Sequence, residues 1–159
     1  MLKSFGLDNA KHAKTPMSTT LKLTKTDEHG KKVHTKVYRS MIGSLLYLTA
    51  RRLDICASVG ICPRYQANPS KLHMIAVKRI MKYISSTSDF SLWFSYDSNT
   101  ALVGYSDVDW AGNIDDRKST SKGCFYLGNN LVTWYSKKQD SISLSTVEAE
   151  YIAIRSCYT

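Results

Sequence analysis

A chain of 159 residues with 43% hydrophobic content has the composition of a globular protein built as one domain or two small pieces. No apolar run reaches membrane-spanning length, and the start, Met1-Leu2-Lys3-Ser4-Phe5-Gly6, lacks the apolar core of a signal peptide. The expectation is an intracellular protein, cytoplasmic or nuclear, not secreted and without a membrane partner. The net charge of +9 is unevenly placed: residues 1–100 hold 16 Lys and Arg against 6 Asp and Glu, whereas residues 101–159 hold 6 against 7. The first part suits contact with phosphates, and the acidic candidates fall in the second.

Residues 1–36 read as a basic polar arm rich in Lys and Thr, with a turn or loop at Asp27-Glu28-His29-Gly30-Lys31-Lys32. Its histidines, His12, His29 and His34, read as solvated surface groups rather than metal ligands. Residues 37–50 have helical spacing, with Tyr38, Met41, Ile42, Leu45, Leu46 and Thr49 on one face and Thr35 as a cap. Arg51 and Arg52 follow at its C-terminal end, where they favour the helix dipole and are equally placed to touch phosphate. Asp54 is suited to cap a second helix with Ile55, Val59 and Cys62 inward, which Pro63 should end or kink. Asn68 as N-cap and Pro69 at the first helical position signal a third helix. Leu72, Ile75, Ala76, Ile80, Tyr83 and Ile84 give it an apolar stripe, and His73 reads as surface or boundary. Lys71, Lys78 and Lys82 form a separate stripe, either a solvated face or a phosphate-binding one.

Strand patterns begin after residue 100. Leu102 to Asp107 alternates, with Val103, Tyr105 and Asp107 on one face. Asp115 to Lys118 is a polar loop whose Asp115 and Asp116 read as loop charges. Gly123 to Leu127 and Leu131 to Tyr135 are two strands joined at Gly128-Asn129-Asn130, a hairpin signal. Ser145 opens a final helix with Val147, Tyr151 and Ile154 on one face. The expected class is α+β: a helical unit followed by β-β-β-α.

The chemistry suggested by the second half is metal-assisted. Asp107 at a strand end and Glu148 in the first turn of a packed helix are placed to share divalent ions, with Asp109 as a further ligand two residues on. Paired carboxylates of this kind hold two Mg²⁺ ions that activate water and stabilise the leaving oxygen in phosphodiester hydrolysis. Each residue also has a plainer reading. Asp107 fits a strand-end turn, Ser145-x-x-Glu148 matches a capping box, and Glu150 fits a solvated helix face. Trp110, Trp134 and Tyr135 suit base stacking or an ordinary core. There is no phosphate-cradling Gly-rich loop followed by Lys, no Gly-x-Ser-x-Gly, and no His in the β-rich half for a triad. Cys56, Cys62, Cys124 and Cys157 lack metal-ligand spacing and read as free thiols.

Two stretches, Tyr38-Arg39-Ser40-Met41-Ile42-Gly43-Ser44-Leu45-Leu46-Tyr47-Leu48 and Ala76-Val77-Lys78-Arg79-Ile80-Met81-Lys82-Tyr83-Ile84, resemble the end of the reverse transcriptase region in copia-type LTR retrotransposon polyproteins. Four further segments resemble the start of that family's ribonuclease H domain: Asp107-Val108-Asp109-Trp110-Ala111-Gly112, Asp116-Arg117-Lys118-Ser119-Thr120-Ser121, Trp134-Tyr135-Ser136-Lys137-Lys138-Gln139 and Leu144-Ser145-Thr146-Val147-Glu148-Ala149-Glu150-Tyr151. The resemblance implies a helical thumb or connection over 37–100 and a truncated ribonuclease H-like β-β-β-α unit over 101–159. It also implies that Asp107 and Glu148 take the first two carboxylate positions of a Mg²⁺ site, with Glu150 as the alternative to Glu148. The implied partners are an RNA–DNA hybrid or other duplex, gripped by Arg51, Arg52, Lys71, Lys78 and Lys82, and other Pol polyprotein segments. The polymerase palm and the remaining ribonuclease H ligands are not among these 159 residues. Three residues depart from the family's pattern: Lys122 stands where Gly is commoner, Leu53 replaces a usual Pro, and Pro63 falls where a helix would continue. The expectation is a segment inactive on its own, or a non-catalytic remnant that binds nucleic acid weakly.

Overall fold

The computed structural model describes residues 2–7, 10–25, 33–96 and 99–157. The expected turn from Asp27 to Lys32 lies outside them. The fold is α+β and divides into two compact units, Met1–Ser91 and Leu92–Thr159.

The first unit is built on three helices, α1 (Thr35–Thr49), α2 (Leu53–Ile61) and α3 (Lys71–Ser86). Their apolar spacing converges on one core: Tyr38, Met41, Ile42 and Leu45 from α1, Ile55 and Val59 from α2, and Val77, Ile80 and Met81 from α3. The Tyr38 hydroxyl is carried into this core and donates to the Cys62 carbonyl at 2.9 Å, which satisfies the one polar atom that the ring brings inside. Burial pushes the Tyr38 phenol far above its ordinary pKa and the Cys62 thiol up to about 12. Pro63 has no N–H to continue α2, and the chain tightens there into a 3-10 turn, Cys62–Tyr65.

Several local expectations give way to tertiary contacts. Thr35 is the first residue of α1 rather than its cap, and His34 holds the cap position with no side-chain bond. Leu46, expected inward, is 46% exposed. Asp54 lies inside the first turn of α2 and Arg52 takes its cap position. Helix α3 starts at Lys71, with Ser70 rather than Asn68 at its cap. The cause is His73, buried rather than at the surface. Its Nδ1 accepts the Ser70 N–H at 2.9 Å, which leaves the proton on Nε2 to donate to the Thr24 carbonyl at 3.1 Å. Its ring stacks on Tyr65 at 4.1 Å between centroids. With His73 turned inward, Ala76, Val77, Ile80 and Met81 follow, and Ile75 joins the outer stripe at 46% exposure. The arm is also more than a solvated tail: Leu7 and Leu23 are buried, and the Tyr65 hydroxyl donates to the Leu23 carbonyl at 3.0 Å.

The second unit is an antiparallel sheet in the order β1-β2-β3, with β1 (Leu102–Asp109), β2 (Thr120–Leu127) and β3 (Asn130–Lys138), followed by α4 (Thr146–Arg155). A two-residue turn, Gly128-Asn129, joins β2 to β3. Gly128 has φ +59, the conformation that a turn of this kind asks of its first central residue. The register sets Asp107 opposite Lys122, Val108 opposite Ser121, and Gly123 opposite Tyr135. Helix α4 packs on the face that carries Ser121 and Gly123. Gln139 Nε2 bridges Ser121 Oγ and the Ala149 carbonyl at 3.0 and 2.9 Å, and the Tyr135 hydroxyl meets Cys157 Sγ at 3.4 Å. Small residues make this approach possible. Ala149 and Ala153 are the buried residues of α4, and the apolar face read from the sequence, Val147, Tyr151 and Ile154, is turned outward at 62%, 70% and 43% exposure.

Candidate metal centre and nucleic-acid interface

Asp107 sits near the end of β1 with its side chain two-thirds exposed. Lys122, its cross-strand partner, brings Nζ within 3.0 Å of Asp107 Oδ2. Successive side chains of a strand project to opposite faces. Ser121 points toward α4, so Lys122 and Asp107 point to the other face. Asp109 follows Asp107 on that face, and its carboxylate folds back onto the turn after β1, where a Cβ on Gly112 would overlap it.

Glu148 lies at the start of α4, where local hydrogen bonding claims it. Its N–H donates to Ser145 Oγ at 3.1 Å, and its Oε2 accepts the Leu144 N–H at 2.7 Å. The exchange satisfies two backbone N–H donors, of Glu148 and Leu144, at the helix N-terminus and places an anion at the positive end of the dipole. Glu150, two residues further on, is half-buried.

A pair of Mg²⁺ ions needs several hard oxygen donors converging on one point. Here Asp107 is ion-paired on the face away from α4, Asp109 is turned to Gly112, and Glu148 is folded onto its own cap. Among the described residues, no group of three or more His, Cys, Asp or Glu side chains is disposed to hold a metal ion. The described residues alone do not fit the expected two-metal cage: Asp107 is held by Lys122, and Glu148 by the backbone at its own helix start.

The basic candidates separate more clearly. Lys71 and Lys78 are exposed on one side of α3, with Lys82 half-buried behind them and Arg51 exposed after α1. Arg52 is committed to the fold: it binds Asp54 through Nε and Nη2, at 2.8 and 2.6 Å, and donates from Nη1 to the Thr87 carbonyl at 3.0 Å. The structure adds Lys36, which composition alone did not single out. It is exposed in the first turn of α1 and lines, with Lys78, Phe5, Val37, Met41 and Met74, an open groove of about 490 Å³. No described helix is long and apolar enough to cross a membrane.

Relatives of the chain are consistent with a mobile-element origin. Over 118 residues it is 41% identical to the secreted RxLR effector protein 161 of Plasmopara viticola, an alignment spanning 74% of this chain and 83% of that one. It is 40% identical over 159 residues to the retrovirus-related Pol polyprotein from transposon TNT 1-94 of Nicotiana tabacum, spanning 96% of this chain and 12% of the polyprotein. It is 38% identical over 146 residues to the corresponding polyprotein from transposon RE2 of Arabidopsis thaliana, spanning 91% and 10%. The chain thus covers only a small part of the polyproteins it matches. No family model matches it. No solved structure matches it. The chain is homologous to one segment of retrotransposon Pol polyproteins.

Proposed function

We propose that this chain corresponds to the region of a copia-type Pol polyprotein where the end of reverse transcriptase meets the start of ribonuclease H, and that it acts as a duplex-binding module. Residues Met1–Ser91 serve as the thumb- or connection-like grip on an RNA–DNA hybrid. They carry 16 Lys and Arg against 5 Asp and Glu, a net +11. The observation that carries the reading is the outward row of Lys71 and Lys78 on α3, with Lys36 beside it across the groove. Such a surface holds the phosphate backbone without reading bases. The β-β-β-α unit is ribonuclease H-like in this reading, and its ancestral reaction is hydrolysis of RNA in hybrids, with Mg²⁺ and other Pol segments supplying what the described carboxylates do not assemble.

The test is the purified chain with a labelled RNA–DNA hybrid in Mg²⁺ or Mn²⁺. The expected result is bound, uncut hybrid. Cleavage that disappears in Asp107→Asn would overturn the non-catalytic part of the reading.

A further inference from the structure

We infer that Lys122 is a resident cation for Asp107, holding the position beside the strand-end carboxylate that a divalent ion would need. The inference deepens the proposed function, because it accounts for a ribonuclease H-like strand end that does not gather metal.

The contact is set by the sheet as well as by side-chain conformation. Asp107 and Lys122 are directly opposed in the β1–β2 ladder, so their Cβ atoms stand side by side on one face. The ammonium needs only to extend along its strand neighbour to reach Oδ2 at 3.0 Å. Of the other charged groups on this face, Lys138 pairs with Asp116, and Asp109 lies against Gly112 without an ion-pair partner among the described residues. Asp107 and Lys122 therefore neutralise each other.

An exposed ion pair contributes little to folding stability. Its effect on a divalent ion is larger, because that ion carries two charges and would sit within a few ångströms of the ammonium. Mg²⁺ also dehydrates reluctantly and gains little from one carboxylate that is already neutralised. Removing the Lys122 charge leaves Asp107 and Asp109 as two anions on one face, and reversing it leaves three.

The experiment titrates Mn²⁺ into the isotopically labelled full chain and reads paramagnetic broadening of the backbone amides of residues 106–108 and 121–123. No nucleic acid is present, so the outcome is independent of the duplex assay above. The wild-type chain should show little selective broadening. Lys122→Met, which keeps the aliphatic stem, should broaden at roughly tenfold lower Mn²⁺. Lys122→Glu should broaden at lower concentration still, and Asp107→Asn added to either variant should abolish the effect. Wild-type broadening equal to that of Lys122→Met would overturn the inference. So would a well-folded Lys122→Glu chain with no broadening at these residues.

Discussion

Arg52 grips Asp54 with two parallel hydrogen bonds, Nε to Oδ1 at 2.8 Å and Nη2 to Oδ2 at 2.6 Å, both at the start of α2. The Tyr83 hydroxyl adds a third bond to Asp54 at 2.9 Å, and Thr87 accepts two from the guanidinium, at its carbonyl and its hydroxyl, which ties the start of α2 to the end of α3. The Arg52 hydrogen bond holds the Asp54 carboxyl below its ordinary pKa. A depressed carboxyl pKa contributes stability that is present above the ordinary value, near pH 4, and is lost as pH falls through the lowered one. Asp54→Asn should therefore cost about 1–2 kcal/mol at neutral pH, a figure reduced for the partial exposure of the carboxylate. The loss should shrink at pH 3 and below. Urea unfolding followed by far-ultraviolet circular dichroism checks this, since most of the helix lies in the first unit. An equal loss at both pH values would contradict it.

The second unit has its own reporter. Trp93, Trp110 and Trp134 all lie in Leu92–Thr159, so tryptophan fluorescence follows that unit alone. A Cβ at Gly123 would overlap the Tyr135 ring, whose hydroxyl meets Cys157 beyond α4. Gly123→Ala should displace that ring and lower the stability of the second unit by about 1–3 kcal/mol. The fluorescence transition should move to lower denaturant while most of the helical signal from the first unit stays in place. An unshifted fluorescence transition would show that the ring moves aside freely.

Local pattern was legible where it coincided with packing. The α1 face apart from Leu46, the α2 face, the Pro63 stop and the Gly128 turn follow from spacing and backbone chemistry that need no tertiary partner. The failures have one cause. His73 looks like a surface residue by type, but two backbone groups, one on Ser70 and one on Thr24, draw it inward and rotate the face of α3. Val147, Tyr151 and Ile154 look like a core stripe by hydrophobicity, but the sheet leaves only enough room for Ala149 and Ala153. The partners of the candidate carboxylates could not be read from the sequence. Glu148 answers its helix cap, and Asp107 answers Lys122 fifteen residues away, a pairing visible only once the strand register is known.

The outward stripe on α4 has a practical consequence. Leu144, Val147 and Tyr151 are 88%, 62% and 70% exposed, an apolar surface that favours association at high concentration. The double variant Val147→Glu, Tyr151→Lys should raise solubility and lower the apparent mass seen by light scattering on a sizing column. Unfolding stability should move by no more than about 0.5 kcal/mol, because both side chains are already in solvent. Unchanged association would show that this stripe is not the sticky surface.

The most direct test of duplex binding is the affinity for an RNA–DNA hybrid measured by fluorescence anisotropy from about 50 to 200 mM salt. The logarithm of the binding constant should fall linearly with the logarithm of salt concentration. Replacing Lys71, Lys78 and Lys82 together by Gln should weaken binding to all sequences alike. It should also reduce the slope by roughly one for each lysine that meets a phosphate in the wild-type complex. Affinity that ignores salt, no binding at the lowest salt, or a triple variant with an unchanged slope would contradict the account.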